Sequence, residues 1–478
     1  MVRAGFGLYY DRGQFFTEFS PGAGRGFSGP FGVTLQQPFT AQINATSTST
    51  LDQPFGAVPP PAPNNAAAVT QLLPNLAQLR TGAAPYLFSA YDPTNTLPYT
   101  ENWSFDVQWQ PLNSVVATLG YVGNRGLHEL LPVPFNQPGI ATPQHPINGE
   151  QYSYGFNVLP SQTIRTNEGG NTDLRVPFVG YSSNALYYQA RGDSSYQALQ
   201  ASLQKRFSHG LQFSASYTWS HSLDDQSGLG LFFNGNNPTN PRSSYATSTF
   251  DRTHVFTISY QYELPTFANW NRYAQAVAGG WRVSGITVAQ SGQPFNFYDF
   301  SGAVGGIYYG NTLSVIDPIL GFQPGVTYPQ AQLQGQFGVN PKNLVIDTSK
   351  VAVPTLPPGT PGVQCDTVNG QQTCDTSETG FSGSGRNVFR GPFQTRFDFS
   401  AAKDFRISER VHLNYRADFF YIFNHPIFDV PTNSVAIYTV AAGRAPTVKP
   451  PTNFGTLGYI TSTLGSPRLI QMSLHLVF

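Results

Sequence analysis

Apolar and polar residues alternate along the last ten residues of the chain, and this period of two most constrains the fold. Ile470, Met472, Leu474, Leu476 and the terminal Phe478 are separated by single residues, most of them polar. Successive side chains of a β-strand point to opposite faces. The chain therefore ends on a strand with one apolar and one polar face, and such a strand belongs to a sheet whose two sides meet different surroundings.

The same alternation recurs over most of the chain and predicts about ten strands. They cover residues 2–11, 99–110, 114–124, 195–207, 210–222, 251–264, 279–290, 392–406, 409–423 and 467–478. No helical period of 3.6 competes over these windows. In a closed transmembrane barrel one side of every strand meets lipid and the other meets a polar lumen. The pattern therefore predicts an all-β fold, a transmembrane antiparallel β-barrel.

Composition supports a membrane protein that crosses the bilayer with strands. Charged residues make up 11% of the chain and aromatic residues 14%, against about 25% charged residues in soluble domains. Mean hydropathy is only −0.23, and the absence of a run of 18 apolar residues excludes a helical span. Lys plus Arg equals Asp plus Glu at 26 each. This balance, without a basic stripe, argues against a nucleic-acid partner.

The connections between the predicted strands alternate in length. Those after residues 110, 207 and 406 are short and that after 264 is somewhat longer, whereas those after 11, 124, 222, 290 and 423 are long and rich in Gly, Pro, Asn, Ser and Thr. Outer-membrane barrels have short periplasmic turns and long extracellular loops. We therefore expect the first strand to run outward and the carboxyl end to lie in the periplasm.

The alternation also assigns individual side chains to the two faces. Aromatic residues near strand ends suit the headgroup layer, although they could equally form the core of a soluble sandwich; they are Trp103, Trp109, Tyr121, Trp219, Tyr260, Tyr262 and Phe405. The charged residues predicted to face the lumen are Arg206, Arg396, Asp398, Asp404, Arg416 and Asp418. Lys205 and Lys403 fall on the apolar side beside turns, from which long side chains can snorkel to the interface.

Few residues suggest chemistry. Cys365 and Cys374 lie close together in a loop rich in Pro, Gly and Thr, where a local disulfide is favoured over free thiols. Residues 24–29 match GxGxxG but lie between Pro21 and Pro30 without a strand before or a helix after them, so a loop is expected. No nucleophile elbow or Cys–His pair is present. We predict no catalytic, cofactor-binding or metal site, and hence no enzyme; the substrate-binding residues cannot be identified.

Two weaker patterns lie near predicted loops. His221, Asp224 and Asp225 could offer metal ligands, although the start of a solvated loop is the favoured interpretation. Four leucines with helical spacing around Pro74 suggest a short surface helix; they are Leu72, Leu73, Leu76 and Leu79.

Several short motifs resemble a known family. They are residues 3–12 (RAGFGLYYDR), 120–126 (GYVGNRG), 217–222 (YTWSHS), 250–254 (FDRTH), 280–285 (GWRVSG), 419–426 (FFYIFNHP) and 453–455 (NFG). In this order the chain resembles the barrel of TonB-dependent outer-membrane receptors, specifically the Oar-like group abundant in acidobacterial genomes. The alternating final strand with its aromatic end is similar to the terminal strand of such barrels.

The resemblance implies a part of a larger protein. Family members have a signal peptide, an N-terminal β-sandwich, a plug that contacts TonB, and a barrel usually of 22 strands. Residues 1–478 match only the C-terminal part of that barrel; Met1 leads directly into a strand with no leader before it, so we expect the chain to begin within a longer polypeptide. The signal peptide, sandwich and plug are absent from this sequence.

The resemblance also implies a function in the bacterial outer membrane. The intact protein would bind a nutrient, a carbohydrate or a peptide, with its external loops and import it with energy from the TonB complex, received through the missing plug. Its other partners would be outer-membrane lipid and the barrel-assembly machinery. Two alternatives remain open: a self-contained ten-stranded passive channel, and a secreted all-β protein that binds polysaccharide.

Overall fold

The computed structural model describes most of the predicted strands and parts of the connections between them. The described residues are 1–11, 74–83, 85, 89–92, 94–139, 146–149, 169–183, 185–228, 235–238, 240–267, 269–298, 365–368, 371–374, 385–408, 410–433, 438–439, 447–448 and 460–478. The GxGxxG match at 24–29, Leu72, Leu73 and the motif at 453–455 lie outside this set.

Ten long strands form one sheet, and each corresponds to a predicted strand. They are β1 (Val2–Tyr10), β2 (Tyr99–Leu112), β3 (Val115–Pro134), β4 (Leu186–Ser208), β5 (Leu211–Asp224), β6 (His254–Glu263), β7 (Trp281–Gln290), β8 (Gln394–Arg406), β9 (His412–Phe420) and β10 (Leu469–Val477). Each pairs with the next along the chain, and all nine of these pairings are antiparallel. The sheet is therefore a continuous meander.

The register holds the alternating patterns in phase from strand to strand. Phe105 lies opposite Tyr121, Tyr121 opposite Leu199, and Leu199 opposite Trp219. One residue away, polar or small side chains face one another in the same way. Because a shift of one residue would move every side chain to the other face, this register produces one apolar face and one polar face.

The apolar face is uncovered. Leu474 is 63% exposed and Trp219 54%, and neither Trp103 nor Phe213 is buried. A soluble sandwich would enclose these side chains between two sheets. The sandwich alternative is therefore wrong for the described part of the chain.

The sheet is open at both ends of its strand order. Among the described residues β1 pairs only with β2, and β10 only with β9. Closure into a barrel is thus not seen within these residues. The short connections lie together at one end of the sheet, here called the short-turn end; opposite them is the outer end. At the short-turn end His209 and Gly210 both have positive φ (53° and 76°), as tight two-residue hairpins require.

Strands β3 and β4 are longer than predicted, with 20 and 23 residues. Their extensions follow a register irregularity around Glu129, beside His128 with φ 59°. Beyond Leu127 β3 no longer pairs with β2, so it is an edge strand there and tolerates Pro132 and Pro134. The outer part of β4 instead receives Ser89–Tyr91, the one parallel pairing of the described sheet.

Two short α-helices lie in connections. Helix α1 (Leu76–Arg80) begins at Asn75, which forms a capping box with Gln78, and confirms part of the helix predicted around Pro74. Helix α2 (Arg272–Ala278) lies between β6 and β7 and was not predicted. No helix among the described residues has the length and apolar character needed to cross a membrane.

Smaller strand pairs lie outside the ten-strand order. Ala246–Thr247 pairs with the outer end of β5. The other pairs are Pro294–Phe295 with Phe389–Arg390, Cys365–Val368 with Gln371–Cys374, Ile427–Phe428 with Thr463–Leu464, and Tyr438–Thr439 with Thr447–Val448.

Candidate functional site

The polar face carries a cavity of about 670 Å³ that is shared by six strands, β4 to β9. Its polar-face lining includes Gln204, Arg206, Gln212, Ser214, Ser259, Gln261, Ser284, Asp398, Ser400, Arg416 and Asp418. Neighbouring strands lie about 4.8 Å apart, so a flat sheet would separate β4 from β9 by roughly 24 Å. One cavity that reaches both strands indicates that the sheet curves with its polar face inward.

Charges on the polar face pair locally. Arg396 Nη2 lies 2.7 Å from Asp398 Oδ2, and Arg416 Nε lies 2.9 Å from Asp418 Oδ1. The arginine side chains are 44% and 56% exposed, so both pairs remain hydrated. Asp404 accepts a hydrogen bond from Asn414 at 2.6 Å. The face therefore presents paired charges, amides and hydroxyls, which suit polar solutes.

The predicted lumen charges share this face. Arg206, Asp398, Arg416 and Asp418 line the cavity, while the register places Arg396 and Asp404 on the same side of β8. The alternation thus identified these residues correctly. It did not indicate which oppositely charged residues pair, because pairs two residues apart depend on side-chain rotamers.

The two lysines on the apolar face reach back to the short-turn end, as predicted. Lys205 Nζ donates to the carbonyl oxygens of Ser208 and Leu211, each at 2.7 Å. Lys403 Nζ donates to the carbonyl oxygens of Val277 (3.1 Å) and Gly279 (2.5 Å). Each ammonium thus compensates backbone acceptors at a turn, which lets a charge occupy the edge of an apolar face.

The outer end carries a buried ion-pair network. Arg386 pairs with Asp224, and both side chains are 5% exposed; its Nε also donates to the Ser244 carbonyl oxygen at 3.0 Å. Arg390 Nη2 lies 2.6 Å from Asp251 Oδ2. Together these contacts attach segment 385–390 to β5 and to the chain before β6.

Burial changes the interpretation of Asp224 and Asp225. Both are 3% exposed, so the expectation of a solvated loop start is wrong. Asp225 accepts a hydrogen bond from the Asp193 backbone N–H at 2.7 Å, and His221 Nδ1 lies 3.6 Å from Asp251 Oδ1. No group of three or more acidic, His or Cys side chains in the described part of the chain is placed to hold a metal ion.

Two carboxyl groups at the outer end have raised pKa values. Burial raises the pKa of Glu129, and the neighbouring carboxylates of Asp224, Asp225 and Asp193 raise it further against the hydrogen bond from Ser194. Burial likewise raises the pKa of Asp225. A tilted strand crosses the bilayer in about 9–11 residues. Counted from the short-turn end, both groups lie beyond the membrane.

Three aromatic rings stabilise the same end. Phe389 stacks on Phe295 with centroids 5.6 Å apart and meets Phe297 edge-on at 5.1 Å. All three are nearly fully buried. Because Phe295 and Phe389 lie opposite each other in a strand pair, the two segments that enter and leave the connection between β7 and β8 are held together. Sequence analysis did not identify this cluster, since it depends on contacts between residues distant in sequence.

The remaining predicted site residues are the terminal signature and the two cysteines. Of the terminal signature, Ile470, Met472, Leu474 and Leu476 lie on the exposed apolar side of β10. Phe478 follows the strand and is 93% exposed. The backbones of Cys365 and Cys374 lie directly opposite each other in a hairpin, a pairing compatible with the Cα separation of a disulfide. The disulfide itself stays a prediction.

Comparison with solved structures finds weak overall similarity to a transporter and to receptors. The outer membrane transporter YddB from Escherichia coli has a TM-score of 0.34 at 7% identity, over 83% of this chain and 34% of that one. The ferric-catecholate import receptor Fiu from E. coli K12 gives 0.30 at 8%, over 80% and 28%. The siderophore receptor PirA from Acinetobacter baumannii gives 0.32 at 9%, over 80% and 32%. The chain thus spans about a third of their lengths. No curated protein sequence matches it.

A family match covers nearly the whole chain. Residues 1–471 match the outer membrane beta barrel domain, which agrees with the exposed apolar face and the polar concave face described above. The chain belongs to the outer membrane beta barrel domain family and resides in the bacterial outer membrane.

Proposed function

We propose that this chain is a wall segment of a TonB-dependent outer-membrane transporter of the Oar-like type. The observation that carries the proposal is the curved, two-faced sheet, whose apolar side is exposed while its polar side lines an open cavity with paired charges. The Oar-like motifs quoted above support the more specific assignment. In the intact protein, external loops would bind the nutrient and the polar face would give it passage.

The open edges support a larger barrel. β1 and β10 each lack a second partner among the described strands, and unpaired backbone groups are costly within lipid. Barrels of about eight strands have interiors just wide enough for side chains, whereas 22-stranded transporters hold a plug. We infer that residues 1–478 form the C-terminal part of such a barrel, inserted by the barrel-assembly machinery.

The outer end suits a role in ligand selection. Ion pairs and stacked rings hold the bases of the β7–β8 connection rigidly on the barrel wall. A rigid base lets an external loop present side chains at low entropic cost. A carbohydrate or a peptide is the proposed ligand class, recognised outside the membrane, with no enzymatic step.

Energised uptake is tested by removing the energy source. The intact protein is expressed in isogenic hosts with and without TonB, and accumulation of fluorescent oligosaccharides and oligopeptides is measured. The proposal predicts accumulation of one of these classes only in the host that has TonB. Equal accumulation in both hosts would contradict it.

A passive channel remains the second candidate, because ten consecutive antiparallel strands also satisfy the even strand number of single-chain barrels. Planar-bilayer recording of residues 1–478 alone distinguishes the two. The transporter proposal predicts no stable unitary conductance from this segment. A stable open channel of uniform conductance would favour the passive alternative.

A further inference from the structure

Helix α2 carries an apolar stripe that faces away from the protein. Tyr273 and Val277, four residues apart in α2, lie on one helical face and are 68% and 70% exposed. Trp270, which precedes the helix, is 52% exposed. Phe267 extends the stripe by stacking on Trp270 with centroids 4.6 Å apart. A helix on a soluble protein normally turns such a stripe toward the core. Here the stripe has the opposite orientation.

Two polar side chains of this segment form hydrogen bonds within it. The Asn271 side chain caps the helix by accepting from the Ala274 backbone N–H at 2.8 Å. Gln275 Nε2 donates to the Trp270 carbonyl oxygen at 2.9 Å. The segment is therefore held in shape by its own hydrogen bonds, and the exposure of the stripe is not caused by a missing polar contact.

The carboxyl end of α2 is attached to the apolar face of the sheet. The Val277 carbonyl oxygen accepts from Trp281 Nε1 at 2.8 Å and from Lys403 Nζ at 3.1 Å. Trp281 and Lys403 lie opposite each other in the register of β7 and β8, on the side that carries Phe405. The Lys403 ammonium lies 5.6 Å from the Trp281 ring centroid and 5.1 Å from that of Phe405. The stripe therefore continues the lipid-facing surface past the end of the strands.

We propose that α2 is an interfacial helix that binds phospholipid at the short-turn end of the barrel. Trp and Tyr prefer the headgroup level, and a helix with one apolar face lies in the plane of that layer. The occupant is the glycerol and upper acyl region of the leaflet at this end. Because the short connections are predicted to face the periplasm, as the proposed function also requires, this is the periplasmic leaflet. The helix fixes how deeply this end of the barrel sits.

The test places one environment-sensitive label at three positions. In the intact protein with Cys365 and Cys374 replaced by serine, Val277→Cys, Leu474→Cys and Asn113→Cys are labelled with the fluorophore NBD and reconstituted into phosphatidylcholine vesicles. Leu474 lies on the exposed apolar face of β10, and Asn113 in the β2–β3 turn at the same end as α2. They are the lipid and water references.

The expected result is a blue-shifted emission at Val277 that approaches the Leu474 value, while Asn113 stays close to the value in water. Water-like emission at Val277 with lipid-like emission at Leu474 would overturn the inference and leave the membrane assignment intact. Water-like emission at both would instead count against the proposed orientation of the faces. A protein partner at α2 would leave the Val277 label water-like in pure lipid vesicles.

A second measurement avoids the cysteine variants. Vesicles made with lipid brominated near the headgroup end of the acyl chain should quench Trp270 more than vesicles brominated near the chain terminus. The Trp270→Phe variant identifies the part of the emission that belongs to Trp270. Subtracting the emission of Trp270→Phe from that of the wild type gives the emission of Trp270. Equal quenching of this emission by the two kinds of brominated vesicle would also contradict the inference.

Discussion

Side chains on the two faces of the ten-stranded sheet make different kinds of contact. On the apolar face, aromatic rings cover cross-strand glycines: Tyr260 lies over Gly285 and Trp103 over Gly123. On the polar face, charges pair along a strand, as Arg416 does with Asp418. We propose lipid as the partner of the apolar face, which accounts for the large side chains that this face leaves exposed. In this chain, alternation with a period of two therefore separates a face suited to lipid from a face suited to water, and does not separate a buried core from an exposed surface.

An arginine placed on each face in turn should give the largest difference in stability between the two faces. Leu119, 52% exposed on the apolar face, lies near the middle of the span of β3. Leu119→Arg should cost about 2–4 kcal/mol, because an arginine near the bilayer midplane is poorly solvated. The adjacent Thr118→Arg points to the polar side and should cost far less. Urea unfolding of both variants in lipid vesicles measures the difference; equal losses would contradict the assignment of faces.

Replacing a glycine that lies beneath an aromatic ring with a larger residue should show how tightly the apolar face is packed. A Cβ on Gly285 would meet Tyr260 Oη at 2.6 Å and the Asp398 carbonyl oxygen at 2.8 Å. Gly285→Val should therefore destabilise the protein by about 1–3 kcal/mol through overpacking. Ser284→Val, its neighbour on the polar face, is the matched control and should change the unfolding free energy less. A Gly285→Val variant as stable as the wild type would show that the ring moves freely aside.

The outer extension of the polar face should respond to pH. Because burial raises the pKa of Glu129, the folded state binds this proton more tightly than the unfolded chain. Its contribution to stability is present below the ordinary carboxyl pKa and is lost as the pH rises through the raised pKa. Hydrogen exchange of amides 125–131 should therefore speed up beyond its intrinsic pH dependence as pH rises.

The Glu129→Gln variant tests the origin of this response. Glutamine keeps an acceptor for the Ser194 hydroxyl but carries no charge, so the pH-dependent loss of protection should shrink. Glu263→Gln, at the short-turn end, is the control and should leave amides 125–131 unchanged. An unaltered pH response in Glu129→Gln would assign the effect to another group.

The hydrated ion pairs of the polar face should contribute least to stability. Asp418→Asn removes one partner of an exposed pair, and such pairs contribute about 0–1 kcal/mol. The unfolding free energy should hardly change, although the cavity becomes more positive. Asp224→Asn, in the buried pair with Arg386, should be clearly more destabilising under the same urea titration. Similar costs for both variants would show that the two pairs do not differ in solvation.

The sheet was largely predictable because alternation is a local property. Neighbouring residues such as Ala417 and Asp418 differ in polarity. The sequence of each strand therefore shows by itself which side chains belong to which face. The turn at His209 and Gly210 was equally visible, because a short polar interruption separates two alternating runs. Alternation then limits the register to pairings that keep the apolar side chains on one face, since a slip of one residue would move them to the other.

The missed features depend on contacts across the chain. The outer part of β3 was not predicted, because the bulge at Glu129 shifts the alternation. Pro132 also argues against a strand, except where β3 has no neighbour on one side, as it does beyond the end of β2. Helix α2 is too short for a clear period of 3.6. The burial of Asp224 requires Arg386, which is 162 positions away in sequence, and no local pattern connects the two.

The most direct test of the central claim compares two adjacent residues on β6. Ser259 lines the polar cavity, and Ile258 points to the opposite face. In vesicles that contain the protein, a charged, membrane-impermeant thiol reagent should modify Ser259→Cys rapidly and Ile258→Cys slowly, because the reagent does not enter lipid and the reactive thiolate hardly forms there. Rapid modification of Ile258→Cys by the charged reagent would contradict an apolar face in lipid and a polar face in water.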